Sequence, residues 1–443
     1  MMPHSIGATR LAPLPHRARP VPAAAVMTAA EHQVQGLVRW GFLAFGFSLP
    51  FEWPARTIPA DFPTIGLALF LLTTFTRPTL CYRRVPSAFW WFFAYFWVFL
   101  LGFARSHGEF TTEVVRQVLT MTQLLLLFVA AFNLMQDERT ARHVLLALAL
   151  GCVLLALLQF SGLVSPEAES YSGALQRMHT LDQNSNRAGR IFGTAVMTLV
   201  GLTFGLRTPA VRPRILVLPA VALCVAAILQ GGSRGSLLVL LIGLWLFTLG
   251  GRSLRQTLRT TALILVSMAV LYGAAMQSPL VRARWEKAQG GDYSGREEIF
   301  PAAWSLVTDK PLLGWGPTAN KYELASRIPQ QGFARRDTHN LGLELLTSTG
   351  VLGFVPFMCG LLVCLRAAWV SRKGRHGILP FALIASLLAG NMAANYLSFK
   401  LQWLVLAYAM ASGSVFVRPR ARGERPGTLG TRASRTTLAR PVV

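Results

Sequence analysis

The side chains able to do chemistry in this 443-residue chain are few and widely spaced. His339 stands in "DTHNLGLELL", where a polar stretch meets an apolar one, directly after Arg335 and Arg336. Arg234 sits in "GGSRG", between two long apolar runs, and Arg296 lies near the start of "SGREEIFPAAWSLVTDKPLLGWGP". Arg187 and Arg190 follow Asp182, Asn184 and Asn186 in "HTLDQNSNRAGRIF". An imidazole accepts a proton near neutral pH, and nearby arginines lower its pKa and keep it neutral. Guanidinium forks hold carboxylate or phosphate oxygens in pairs. Together these residues describe a candidate anion site with a proton acceptor beside it.

Each residue also has a plainer role. Flanking glycines let the Arg234 turn approach a ligand closely, and an arginine there equally reaches a membrane interface. "GGSRG" fits G-x-S-x-G, but a nucleophile elbow needs a strand before the serine. Membrane-length apolar runs flank it instead, so Ser233 is not read as a nucleophile. Ser294-Gly295-Arg296-Glu297 reads as a capping box, with Ile299, Phe300, Ala303, Trp304 and Val307 on one face of the helix it opens. That face suits a helix at the membrane interface, and Arg296 would lie where first-turn amides favour an anion. Asp182, Asn184 and Asn186 either cap a helix or hold ligand hydroxyls. His339 in isolation reads as an interfacial or capping histidine. Pro and Gly in "DKPLLGWGP" mark a structural turn. Acidic residues are dispersed, with neither HExxH nor a carboxylate cluster, so neither a metal nor a cofactor is expected.

These residues need a scaffold, and the composition specifies its class. Hydrophobic residues make up 53% of the chain and charged ones 14%, with a mean hydropathy of +0.44. Soluble domains carry about 25% charge, so this is membrane-protein composition. Cys81, Cys152, Cys224, Cys359 and Cys364 fall in or beside apolar runs without metal-ligand or disulfide spacing. No short apolar segment with a cleavage site opens the chain, so no signal peptide is expected. A membrane span needs about 20 mainly apolar residues. Twelve runs qualify, some of them short: 34–50, 62–75, 88–103, 114–135, 144–164, 191–206, 215–230, 236–249, 262–276, 351–370, 378–394 and 401–417. The expected fold is therefore an all-α polytopic membrane protein.

The net charge of +24 concentrates in alternate loops (Arg77/Arg83/Arg84, Arg139/Arg142, Arg207/Arg212/Arg214, Arg252/Arg255/Arg259, Arg366/Arg372/Lys373/Arg375) and in the C-terminal tail. This is the positive-inside signature, which puts both termini in the cytoplasm and argues against nucleic acid as partner. The domain reading is a basic tail at 1–33, spans one to nine over 34–276 with an outer loop at 165–190, a large outer loop at 277–340, spans ten to twelve over 341–417, and a basic tail at 418–443. Arg187, Arg190, Arg234, Arg296, Arg335 and Arg336 map to the outer side, against the charge rule. So does His339. An anion site explains exported arginines; contact with lipid headgroups is the alternative.

"GGSRG", "SGREEIFPAAWSLVTDKPLLGWGP" and "THNLGLELLTSTGVLGF", in that order, resemble the O-antigen ligase/polymerase superfamily of bacterial envelope glycosyltransferases. The motif likeness covers roughly residues 181–361, and the span count extends it to the whole chain. Its compact outer loop looks most like that of lipopolysaccharide O-antigen ligases. The resemblance implies a GT-C-like inner-membrane enzyme with its large periplasmic loop between helices nine and ten. It implies transfer of preassembled glycan from undecaprenyl pyrophosphate to a lipid A–core hydroxyl, at a periplasmic site, without metal. On matching positions Arg234 and Arg296 would hold the pyrophosphate and His339 would act on the acceptor. Arg187, Arg190, Asn184 and Asp182 are added as substrate-binding candidates. Relatives often carry proline where this chain has Gln183. The implied partners are carrier-linked O-antigen, lipid A–core and membrane lipids; the oligomeric state is left open. Competing expectations are an O-antigen polymerase, a protein O-oligosaccharyltransferase, or a lipid-linked-glycan or anion transporter. The transporter should show ionisable residues at span centres or paired broken helices.

Overall fold

Each of the twelve apolar runs overlaps a helix in the computed structural model. The structure describes residues 29–53, 60–104, 111–164, 167–171, 175–179, 181, 183–205, 217–250, 254–277, 279–290, 295–329, 332, 334–374, 376–395 and 397–415. Asp182, Ser294, residues 1–28 and 416–443, and the basic residues Arg207, Arg212, Arg214, Arg252 and Arg375 lie outside them, and the last residues of the expected tail at 1–33 already belong to the first helix. In chain order the helices are α1 (Ala29–Ser48), α2 (Phe62–Phe75), α3 (Pro78–Cys81), α4 (Ser87–Ala104), α5 (Thr111–Leu134) and α6 (Glu138–Phe160). A hairpin of β1 (Glu167–Tyr171) and β2 (Leu175–His179) follows. Then come α7 (Ser185–Val200), α8 (Val217–Gln230), α9 (Arg234–Leu246), α10 (Leu254–Gln277), α11 (Pro279–Gln289), α12 (Arg296–Asp309), α13 (Ala319–Ser326), α14 (Leu341–Ser371), α15 (Leu379–Asn391) and α16 (Lys400–Val415). Among the described residues five helices (α4, α5, α6, α10 and α14) are long and apolar enough to cross a membrane, and further apolar helices are shorter.

Several boundaries and elements depart from the sequence reading. The outer segment expected as loop at 165–190 contains the antiparallel hairpin, paired from Glu167 with His179 to Tyr171 with Leu175. The fold is thus helical with one small sheet, because a backbone outside the apolar runs must still pair its amides and carbonyls. Helix α7 begins at Ser185, so Arg187 and Arg190 are helical instead of preceding the span. The large loop holds three helices, α11 to α13, where one was expected. Gly295 caps α12 with φ 78°, a left-handed conformation that favours glycine, and its N–H donates to Glu297 Oε1 at 3.3 Å. The expected capping box began at Ser294, which lies outside the described residues, whereas the cap position here is Gly295.

Packing explains which helices are central. Residues Leu401 to Ala411 of α16 are almost entirely buried, and Trp403 packs edge-on against Phe92 of α4, Phe128 of α5 and Phe357 of α14 at ring separations of 5.1, 6.1 and 6.4 Å. Helix α7 is buried along most of its length between α6, α8, α9 and α15. It comes close to α9 because Gly189 has no side chain: a Cβ there would meet Ser236 Oγ at 2.6 Å. Outward-facing Leu69, Leu72, Trp90, Trp97, Leu150, Leu157 and Leu218 are exposed, as a lipid-covered perimeter requires.

Helix α14 is broken at Gly350, where φ is 63° and ψ −165°. A break frees backbone groups that lipid cannot satisfy. Here the "PLLGWG" segment pairs with them. Val351 N donates to Pro311 O at 2.8 Å, Leu352 N to Leu312 O at 3.1 Å, Trp315 N to Thr347 O at 2.8 Å and Gly316 N to Ser348 O at 2.9 Å. Ser348-Thr349-Gly350 is therefore a sealed kink joining two helical segments, the first of which starts at Leu341.

Candidate active site

Asn184 is the N-cap of α7, its side chain accepting from Asn186 N at 3.0 Å. Ser233 is the N-cap of α9 and accepts from Ser236 N at 3.2 Å, while its hydroxyl donates to Asn186 Oδ1 at 2.6 Å. Ser236 Oγ donates to Asn186 O at 2.9 Å. The "GGSRG" turn is thus bolted to the start of α7, and Ser233 does structural work at a helix end. Arg234 is the first residue of α9 and is half-buried.

Arg190 is 2% exposed, the second-largest fully buried side chain after Trp403. Its guanidinium lies flat against Gly390 at the end of α15: a Cβ there would stand 3.0 Å from Nη1 and 3.1 Å from Cζ. Nη2 approaches Gly235, where a Cβ would be 4.0 Å away. Arg187, one turn earlier, is committed elsewhere. Its Nε is 2.7 Å from Glu52 Oε2, Nη2 donates to Glu52 Oε1 at 3.0 Å, and the guanidinium lies 4.7 Å over the Phe399 ring. Glu52 is itself buried, so the pair braces the α1–α2 connection against α7 and the start of α16.

Arg296 opens α12, and its Nη2 donates to Ala393 O at 3.0 Å. Arg296, Glu297, Phe300, Pro301, Met392 and Ala393 line an open cleft of about 370 Å³. Most of the expected apolar face of α12 is turned inward: Ile299, Ala303 and Val307 are buried, and Ile299 and Ala303 join Leu306 in a cluster with Leu324, Ile328 and Leu343. Trp304 is exposed, and Phe300 and Pro301 face the cleft. The interfacial role expected of this face is corrected accordingly. It builds a separate small apolar cluster, because α13 and the start of α14 bring apolar partners for it.

His339 lies between two anchored neighbours. Thr338 is 1% exposed, and its Oγ1 is 3.1 Å from Glu344 Oε2 and 3.0 Å from Asn340 O. Asn340 caps α14 by accepting from Leu343 N at 3.1 Å, and its Nδ2 donates to Met392 O at 3.2 Å. His339 itself has φ 51°, a left-handed backbone uncommon for a residue with a Cβ. Such conformations persist where surrounding structure over-determines them. Burial is the largest influence on His339 and pushes its pKa below the usual imidazole value; Asp337 opposes this, while Arg296, Arg336 and Lys321 deepen it. Burial raises Asp337, but Lys321, 2.8 Å away, outweighs it and holds the carboxyl below its usual range. The imidazole is therefore neutral at pH 7 and able to take a proton.

Arg190, Arg296 and Asn340 converge on one short stretch, Gly390 to Ala393, where α15 ends. The N-termini of α7, α9, α12 and α14 meet around it, and their amide ends favour a bound anion. His339 and Arg296 share this neighbourhood. Asn184 is occupied as a cap and Arg187 by Glu52; Asp182 lies outside the described residues. Sequence reasoning missed the α15–α16 turn, although "GNMAANYLSF" puts two asparagines between apolar runs, a helix-stop signal. It also missed Lys321, Asn320 and Glu344, whose partnerships cross elements and leave no local pattern. Among the described residues no group of three or more His, Cys, Asp or Glu side chains is arranged to hold a metal.

Residues 219–358 match the family model described as O-antigen ligase. That segment contains Arg234, Arg296 and His339, and stops short of the α15 end on which Arg296 and Asn340 are anchored. No curated protein matches the chain.

Proposed function

We propose, from the chain's assignment to the O-antigen ligase family on the match over residues 219–358, that it transfers preassembled O-antigen from undecaprenyl pyrophosphate to a sugar hydroxyl of lipid A–core. The observation that carries the reading is the shared anchorage of Arg296 on Ala393 O and of Asn340, next to His339, on Met392 O. That shared anchorage supports reading His339 and Arg296 as neighbours, the imidazole acting as base and the guanidinium as anion ligand. In this reading the acceptor oxygen attacks the anomeric carbon and its proton passes to His339. The bond from that carbon to the pyrophosphate oxygen breaks, and undecaprenyl pyrophosphate leaves with its electron pair. Arg296, Arg234 and Arg190 stabilise the departing anion, as preorganised cations do at a developing charge. A single displacement inverts the anomeric configuration. Arginines supply the positive charge for which other transferases recruit a metal. Arg187 is reassigned to bracing, because both of its contacts are with Glu52 and Phe399.

The proposed setting is the bacterial inner membrane, crossed twelve times, with both termini cytoplasmic and the cleft periplasmic. The sealed break in α14 also bears on the transporter reading. Its freed backbone groups are paired with the loop, whereas a transporter's broken helix leaves them for the substrate. The test is the lipopolysaccharide ladder of a ligase-null strain with matched core and O-antigen. Wild type restores banding and well-expressed His339→Ala does not. Failure of wild type to restore it overturns the ligase reading, and a lengthened glycan on carrier lipid points to the polymerase. Normal ligation by His339→Ala overturns the base assignment.

A further inference from the structure

We propose that Glu344 is a positioning residue for His339, acting through Thr338 to hold the Thr338-His339-Asn340 turn in its left-handed geometry beside the Arg296 cleft. The inference rests on the reading of His339 as the base.

A carboxylate 4% exposed in the first turn of an apolar helix is costly unless it is bonded on every side. Glu344 has one hydrogen-bonding partner on each oxygen: Oε1 accepts from Asn320 Nδ2 at 3.2 Å, and Oε2 lies 3.1 Å from Thr338 Oγ1. Asn320 is held in turn by Thr347 Oγ1 at 3.1 Å, and the next residue, Lys321, binds Asp337. The cluster therefore grips the chain at Asp337 and Thr338, immediately before His339. Asn340 is gripped immediately after it by Leu343 N and Met392 O. The Thr338 hydroxyl also reaches Asn340 O, across the histidine. Between two fixed neighbours the His339 backbone has little freedom, which accounts for a φ of 51° at a residue with a Cβ. Helix capping needs Asn340 alone. The carboxylate at 344 and the hydroxyl at 338 are surplus to capping, and what they jointly fix is the residue between 338 and 340.

The test uses the full-length protein in lipid nanodiscs, with a polyprenyl-pyrophosphate-linked glycan as donor and lipid A–core as acceptor. Thr338→Val and Glu344→Ala each lower kcat by about 10-fold to 100-fold, the scale expected when a reacting group is displaced slightly. Donor KM stays within about 2-fold. The double variant is no slower than the slower single one, because both break one connection. Thr338→Ser, which keeps the hydroxyl, restores kcat. Thr338→Val changes volume little and carries the test should Glu344→Ala not accumulate. Wild-type kcat in Thr338→Val, multiplying losses in the double variant, or no rescue by Thr338→Ser overturns the proposal. His339→Ala run alongside separates the two readings: if it is inactive while Thr338→Val is fully active, the positioning role alone fails. If His339→Ala is active, the base assignment fails with it.

Discussion

An imidazole works as a base only while neutral, and burial first, then charges on several elements, sets where His339 loses its proton. Arg296 at the start of α12, Lys321 on α13 and Arg336 beside it all disfavour the imidazolium; Asp337 favours it. Activity should therefore rise with pH through a His339 pKa below the ordinary value of about 6.5. Asp337 is ionised there, since Lys321 holds its carboxyl low. Asp337→Asn removes the opposing anion, lowers the His339 pKa further and moves the acidic limb of kcat/KM to lower pH. Arg336→Gln removes a cation and moves it to higher pH. A pH series on both variants checks the pair of signs; a limb that stays put in both belongs to some other group. The residue types were legible in the sequence, where His339 follows closely on Arg335 and Arg336 and the other arginines stand at the edges of apolar runs. Which arginine serves which purpose was not. Arg187 and Arg190 are one helical turn apart, yet one is tied to Glu52 from the α1–α2 connection and the other lies on Gly390 of α15.

At the scale of the element, "DKPLLGWG" and "STG" form one device. Gly350 bends α14, and the Pro311-to-Gly316 segment pairs with the backbone groups the bend releases. A side chain at Gly350 would overlap the Leu312 carbonyl, and its φ of 63° is strained for any residue with a Cβ. Gly350→Ala should cost roughly 1–3 kcal/mol. It should lower the melting temperature in detergent, while Gly273→Ala, with open space around it, leaves melting unchanged. Equal melting of both variants would show that the kink is tolerant. Helix existence was readable from apolar periodicity, as the twelve runs show. Helix starts were less so, because caps are chosen by contacts elsewhere: α7 begins at Ser185 because Asn184 caps it and Asn186 is held by Ser233. Glycine and proline announce a turn but not its partner, so the pairing of the loop with α14 was invisible until the chain was folded.

For the molecule as a whole, the charge distribution and the buried positions of α7 and α16 lead to a testable arrangement in the membrane. Phosphatase fused in the outer segment 277–340 should be active and fluorescent protein fused after 417 should be bright, as a periplasmic loop and cytoplasmic tail require; the reverse pattern would invert the topology. The sequence by itself determined the membrane-protein class of this chain, the apolar runs that become helices, and the loops in which positive charge accumulates. These depend on composition and on short periodicities, which are local properties of the chain. The tertiary structure decided the site. Arg190, Arg296 and the Asn340 beside His339 meet at the end of α15, up to about 200 residues away along the chain, through contacts with Gly390, Met392 and Ala393. Two of those contacts are to backbone carbonyls and one depends on an absent side chain. Such partners carry no sequence signature, so only the packing of the helices reveals them.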